Sequence, residues 1–149
     1  MNRLFVALAY LYIITGVSPA PAFAAENDAR QFVEMPPAAR ASLRAEMLDF
    51  QTSLHLIISA LGENKFKEAA DIAEKQIGLS AKGRHRNEPM NARPGMFMPE
   101  AMHSIANSMH AAGSDFAKVA KNGNTTQALV ALQSVTSACV ACHRSYRTQ

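Results

Sequence analysis

Three residues near the end of the chain, Cys139, Cys142 and His143, have types and a spacing that favour chemistry. They stand in the run C-V-A-C-H, and the two cysteines are the only ones in the 149-residue sequence. On a helix, residues three and four positions apart share a face, so both thiols and the imidazole would be neighbours. Such a group is compatible with a disulfide, part of a zinc site, a dithiol redox centre or a covalent haem attachment.

Covalent haem attachment fits these residues best. Two thiols can add to the two vinyl groups of a haem as thioethers, and the imidazole that follows can bind the iron. A zinc site needs about four protein ligands, and the sequence has no second cysteine pair. A redox pair normally begins a helix after a strand, and a disulfide across one helical turn has unfavourable geometry. We therefore predict haem c, held by Cys139 and Cys142, with its iron bound by His143.

The first 24 residues have the composition of a secretory signal peptide. A positive start at Arg3 precedes an apolar run over residues 4–17, and Ala22-Phe23-Ala24 supplies the small residues that signal peptidase recognises. The run, at about 14 residues, is shorter than the ~20 residues that span a bilayer, and we expect no second run of spanning length. The sequence predicts a signal peptide over residues 1–24 and a soluble mature domain over residues 25–149, exported to a bacterial periplasm.

The mature region is predicted to be all-α. Apolar residues recur at spacings of three and four in segments predicted as helices over roughly 37–61, 65–77, 100–122 and 125–147. Residues 25–36 are predicted to be an extended, polar lead-in, and the Pro- and Gly-containing residues 80–99 a long loop. Short connections and the lack of a strand pattern predict an antiparallel four-helix bundle with covalently attached haem, since such bundles build cofactor sites between facing helices.

The charge of the chain bears on its partners. The formal net charge is +3, and the basic residues are scattered without aromatic partners, so we expect no binding to nucleic acid. The basic side chains of the loop have two equally good interpretations, the steering of an acidic redox partner protein and simple solubility; they are Lys82, Arg84, Arg86 and Arg93. Methionines in and after the loop offer a weaker alternative, a copper(I) site of thioethers; they are Met90, Met96, Met98 and Met102.

The sequence resembles the class II c-type cytochromes, which comprise cytochrome c prime and its low-spin relatives. In that family the C-x-x-C-H motif lies near the end of the fourth helix and is followed by an aromatic and a basic residue, here Tyr146 and Arg147. The resemblance covers roughly residues 30–149, although only the tail motif is specific. It implies that Arg147, one helical turn after His143 on the same face, lies by the proximal side of the haem. It is compatible with a monomer or a homodimer.

The resemblance also implies a role for one position on the first helix, which faces the open side of the iron. A non-ligating residue there leaves the iron able to bind gases such as nitric oxide, whereas a methionine gives a six-coordinate electron carrier. Met47 is the matching candidate, and Leu43, one turn earlier, would leave the site open. We therefore predict single-electron transfer, and not enzymatic catalysis, with His143 and Met47 as axial ligands. The alternative is a five-coordinate gas-binding protein with a distal site lined by Leu43, Met47 and Phe50.

Overall fold

The structure is a computed structural model that describes residues 28–149. The predicted signal peptide lies outside the described residues, so its cleavage stays a prediction. The described chain contains four α-helices and one pair of two-residue strands: β1 (Gln31–Phe32), α1 (Pro37–Gly62), α2 (Phe66–Gln76), α3 (Glu100–Ala120), α4 (Thr125–Ser145) and β2 (Tyr146–Arg147). The predicted all-α four-helix architecture is confirmed.

Local sequence signals set the ends of the helices. Proline occupies the first turn of α1, where its missing N–H costs no helical hydrogen bond. After α1, Asn64 turns the chain with a φ of 58°, in the left-handed region that asparagine tolerates. Before α4, Gly123 has a φ of 73°, and the Asn124 side chain accepts a hydrogen bond of 2.9 Å from the Gln127 amide. This is an N-cap that satisfies one of the free amides of the first turn.

The buried side chains form two clusters. The central cluster joins the four helices, and its large members are Phe50, Ile57, Leu61, Ile77, Met109, Phe116, Leu132 and Val135. The end cluster lies where α1 begins and α4 ends, and consists of Val33, Met35, Ala39, Leu43 and Met102. The predicted apolar stripe of α1 supplies both clusters, with Leu43 in the end cluster and Phe50 and Ile57 in the central one. One helix therefore links the two cores.

The helices pack in sequence order. Close contacts join α1 to α2, α2 to α3 and α3 to α4, whereas α1 and α4 make no extensive contact with each other. On α4 the fully buried residues are Ala128, Leu132 and Val135. Leu129, which the periodicity places on the same stripe, is 49 % exposed. The face of α4 that would complete the bundle against α1 is thus only partly covered by protein.

The two short strands correct two predictions. The lead-in is not merely polar, because Val33 and Met35 are buried in the end cluster. Its strand β1 pairs in parallel with β2, and the Val33 amide donates a hydrogen bond of 2.8 Å to the Arg147 carbonyl. The fourth helix was also predicted two residues too long. It ends at Ser145, since pairing with β1 requires extended backbone, and Tyr146 accordingly has φ −130° and ψ 150°.

The long loop between α2 and α3 is ordered by three short 3₁₀ turns, at Leu79–Ala81, Met90–Ala92 and Pro94–Met96. The last two turns lie against α1. Because α2 has 11 residues and α1 has 26, the loop covers part of α1 that α2 does not reach.

By length and composition alone, α4 is apolar enough to cross a membrane. The expectation of no second spanning run is wrong by that criterion. One such helix is weak evidence for a membrane span, and 17 % of this apolar stretch is buried. Here α4 packs along α3, and its one buried face contributes Leu132 and Val135 to the central cluster.

Candidate functional site

The two thiols lie at the boundary between the clusters. Cys139 packs against the central cluster and Cys142 against the end cluster, and both side chains are half-buried. They are free cysteines, not bonded to one another. Burial raises the pKa of both thiols, and the charge of Cys139 adds to the rise in the pKa of Cys142. At neutral pH the pair is therefore in the protonated thiol form, on the side of α4 that faces the interior.

His143 is exposed beside this pair. Its carbonyl accepts a long hydrogen bond of 3.4 Å from Arg30 Nη1, which comes from the N-terminal segment. Its imidazole makes no hydrogen bond to any residue in 28–149, so no structural contact there occupies the ring nitrogens. This arrangement leaves the imidazole available as a ligand.

Met47 and Leu43 reach the same region from α1. Leu43 is buried in the end cluster, against which Cys142 packs. Met47 is half-buried and packs against both clusters, a position shared by no other residue in the described chain. The structure thus brings Met47 to the boundary where the two cysteines lie, as the sequence predicted for a residue facing the cofactor. Whether Met47 binds iron stays a prediction.

Arg147 is held differently from the prediction. Because α4 ends at Ser145, Arg147 is not one helical turn after His143, and the expected shared helical face is wrong. Its guanidinium lies 5.0 Å from the centre of the Phe32 ring, and its Nε lies 3.7 Å from Asp28 Oδ2. Arg147 therefore fastens the end of the chain to the N-terminal segment, and its proximity to a haem stays a prediction.

Sequence reasoning missed the contacts that surround Met47. Arg84 was assigned to a surface for partners, yet its side chain is only 23 % exposed and forms ion pairs with Glu46 and Asp49. No local signal identifies these pairs, since they join residues more than 30 positions apart. The burial of Val33 and Met35 was also missed, although their alternation over residues 33–35 is a weak strand signal.

The other methionines divide into two groups. Met98 packs against the end cluster and Met102 belongs to it, whereas Met90 and Met96 are 64 % and 58 % exposed. The four side chains of the proposed copper site thus lie in different environments. Within residues 28–149, no group of three or more His, Cys, Asp or Glu side chains is placed to hold a metal.

The residues at this boundary fit a haem. Two free thiols face apolar clusters, an imidazole is unengaged, and a soft thioether lies among them. Because α1 and α4 make no extensive contact with each other, the fourth side of the bundle is also incomplete. The open grooves found along the described chain lie elsewhere, between α1 and α2 and along the first turns of α4. The fit therefore rests on the donor set and the helix packing.

Comparison with known proteins gives one match. A family profile described as Cytochrome C′ matches residues 59–147, which is more than half of the chain. The matched part includes α2, α3, α4 and the C-x-x-C-H motif, but neither Leu43 nor Met47. No curated protein and no solved structure matches the chain.

Proposed function

Because the chain belongs to the cytochrome c prime family, which implies a haem cofactor, we propose that it is a periplasmic one-electron carrier. When bound, the haem supplies the Fe(III)/Fe(II) couple. The observation that supports the proposal most directly is the position of Met47, which packs against both clusters that adjoin Cys139 and Cys142. The family's members are typically exported, in agreement with the predicted signal peptide.

Each residue of the site has a proposed role. Cys139 and Cys142 would hold the haem as thioethers, and His143 would bind the iron. Met47 would supply a second ligand, a neutral, soft sulfur that would stabilise the ferrous state and raise the reduction potential. His143 and Met47 both lie on long helices, α4 and α1, whose backbone would hold the two ligands in place, which suits electron transfer.

The side chains around Met47 give it largely apolar neighbours. Phe50 and Leu43 are buried on either side of it along α1, and Met98 packs in the same region. Apolar surroundings disfavour the ferric state, which carries more charge, and act in the same direction as the thioether.

A second function, gas binding, is favoured by one observation. Leu43 is the more deeply buried of the two α1 side chains, and it belongs to the cluster against which Cys142 packs. If Leu43 faces the iron in place of Met47, the distal position is open. The family match does not decide between them, because it begins after both residues.

The two functions are separated by one pair of variants. Met47→Leu and Met98→Leu are both close to volume-conserving, and both methionines pack against the end cluster. We expect the ferric wild-type holoprotein and Met98→Leu to show the long-wavelength band of methionine-ligated iron, and Met47→Leu to lose it and bind carbon monoxide rapidly in the ferrous form. If Met47→Leu has the spectrum of the wild type, Met47 is not a ligand.

The partner that we propose is an acidic redox protein, but not one docked on the loop. Arg84 pairs with carboxylates of α1, and Arg86 and Arg93 donate hydrogen bonds to carbonyls of the loop itself. By contrast, Arg144, which directly follows His143, is exposed and has no carboxylate partner within residues 28–149. The positive surface beside the site is therefore the better candidate for docking.

A further inference from the structure

We propose that Arg84 is a positioning residue that fixes the turn of α1 carrying Met47. This inference rests on the proposed function, in which Met47 is an axial ligand. It assigns to the loop between α2 and α3 the task of holding that ligand in place.

The contacts of Arg84 with α1 all fall on one helical turn. Its Nε lies 3.3 Å from Glu46 Oε1, and its Nη1 lies 3.3 Å from Asp49 Oδ2. Its guanidinium carbon lies 5.2 Å from the centre of the Phe50 ring, within the range of a cation–π contact. Glu46, Asp49 and Phe50 stand one residue before, two after and three after Met47. Arg84 therefore holds this turn at three points.

The same side chain ties that turn to the rest of the bundle. Arg84 Nη2 donates a hydrogen bond of 2.7 Å to the Gln76 carbonyl at the end of α2. Beyond it, Phe50 meets the His110 ring of α3 edge to face at 6.3 Å, and His110 Nδ1 lies 2.6 Å from the Ile77 carbonyl. The Met47 turn is thus connected through Arg84 and Phe50 to α2 and α3.

These contacts of Arg84, which together form a clamp on α1, add to the packing of the 3₁₀ turns at Met90–Ala92 and Pro94–Met96 against α1. The short helix α2 cannot accompany the whole of α1, and α4 makes no extensive contact with it. The Arg84–Glu46 pair is also shielded, since the two side chains are 23 % and 13 % exposed. Shielded pairs with several hydrogen bonds are less weakened by solvent and salt than surface pairs.

Loosening this turn has a measurable consequence at the iron. An added ligand competes with Met47, so its apparent affinity rises in proportion to the fraction of molecules in which Met47 is detached. A lysine at position 84 keeps the charge but lacks the planar fork that reaches three partners at once. Both Arg84→Gln and Arg84→Lys should therefore raise this fraction.

The experiment compares imidazole binding by the ferric holoproteins. We expect Arg84→Gln to bind imidazole about tenfold more tightly than the wild type, and Arg84→Lys to show most of this gain. Arg86→Gln is the matched control, because Arg86 donates only to the Lys82 and Gly83 carbonyls of its own loop. Ser114→Ala controls for general destabilisation, since it removes the hydrogen bond from the Leu79 amide, and the Ser114 side chain makes no hydrogen bond to α1. Unchanged affinity in both Arg84 variants, or an equal gain in the controls, overturns the inference.

Hydrogen exchange tests the role of Arg84 independently of the proposed iron ligands. If Met47 is not a ligand, Met47→Leu binds imidazole as the wild type does, and the ligand part of both proposals is wrong. The clamp itself is tested by the amides of residues 46–50, which should exchange faster in Arg84→Gln than in Arg86→Gln. Equal exchange in the two variants contradicts the clamp whatever the iron ligands are.

Discussion

The two cysteines face different parts of the core, which has a consequence for any group that they hold. Cys139 adjoins the central cluster and Cys142 the end cluster, with Met47 in contact with both. A group attached to both sulfurs would lie across the boundary and contact both clusters. The residues of the site therefore couple cofactor binding to the cohesion of the core, in addition to supplying ligands.

At the residue scale, the sequence predicted the attachment motif but not the contacts around it. The spacing of Cys139, Cys142 and His143 is a local pattern that can be recognised without knowledge of the fold. No local sequence pattern identifies the role of Arg84, because its contacts with α1 depend on how the long loop folds. The position of Arg147 was predicted wrongly for a related reason, since the apolar periodicity of α4 continues past Ser145 whereas its helical backbone ends there.

The N-terminal segment offers a pH-dependent contact beside the site. Arg30 donates hydrogen bonds of 2.9 Å and 2.6 Å to the Asp28 carboxylate. These bonds lower the pKa of Asp28 from 3.8 to about 2. A lowered carboxyl pKa stabilises the folded segment above the unfolded value of 3.8, and this contribution is lost as the pH falls through about 2. Both side chains are exposed, so the effect should weaken in high salt.

We expect NMR titration of the Asp28 carboxyl carbon to give a midpoint near the lowered value in the wild type, and one close to 3.8 in Arg30→Gln. Arg147→Gln should change the midpoint less, because Arg147 lies 3.7 Å away and makes the smallest contribution to the shift. Equal midpoints in the wild type and Arg30→Gln would show that the Arg30–Asp28 pair does not form in solution.

At the scale of elements, the end of α2 and the middle of α3 approach so closely that glycine is required on both sides. A Cβ on Gly78 would lie 2.8 Å from Ser114 Oγ and 2.9 Å from the Glu74 Cα, closer than carbon atoms tolerate. From α3, a Cβ on Gly113 would lie 3.0 Å from the Gly78 amide nitrogen. The two glycines let the end of α2 approach α3, which in turn fixes where the loop and Arg84 begin.

We therefore expect Gly78→Ala to destabilise the holoprotein by about 1–3 kcal/mol, the range observed for overpacked sites. Gly62→Ala is the control, because nothing lies within 4 Å of the added Cβ at the end of α1. That change should leave stability unaltered or raise it by up to about 1 kcal/mol through helix propensity. Denaturant unfolding of the two variants checks both signs, and equal stabilities would refute the close approach.

The helices themselves were largely predictable from the sequence, since each has its own repeated apolar pattern. The ends of the helices and the short strands were harder to predict. The pairing of Gln31–Phe32 with Tyr146–Arg147 joins opposite ends of the described chain, and two-residue strands are too short to show alternation. The packing of α1 against the loop was likewise hidden, because it depends on the shortness of α2.

At the scale of the whole molecule, the position of positive charge matters more than its amount. The net charge of +3 alone would attract any anion to any face. Arg144 follows His143 at the end of α4, whereas Lys121 follows α3 at the opposite end, close to the first turn of α4. Both are exposed, both stand at helix C-termini, and neither has a carboxylate partner within residues 28–149. Reversing either charge changes the net charge equally but at different distances from the site.

We expect Arg144→Glu to slow the oxidation of the ferrous holoprotein by ferricyanide, an anion, roughly threefold to tenfold at about 0.1 M ionic strength, because ferricyanide meets a less positive potential beside the site. Lys121→Glu should change the rate much less, since the length of α4, about 30 Å at 1.5 Å per residue, separates the two positions, well beyond the Debye length of about 10 Å at 0.1 M salt. With hexaammineruthenium(III), a cation, Arg144→Glu should accelerate the reaction, and both effects should fade at high salt. Stopped-flow kinetics measures all four rates. Equal slowing by the two variants would mean that net charge alone governs encounter, and that the surface around His143 is not where electrons leave the protein.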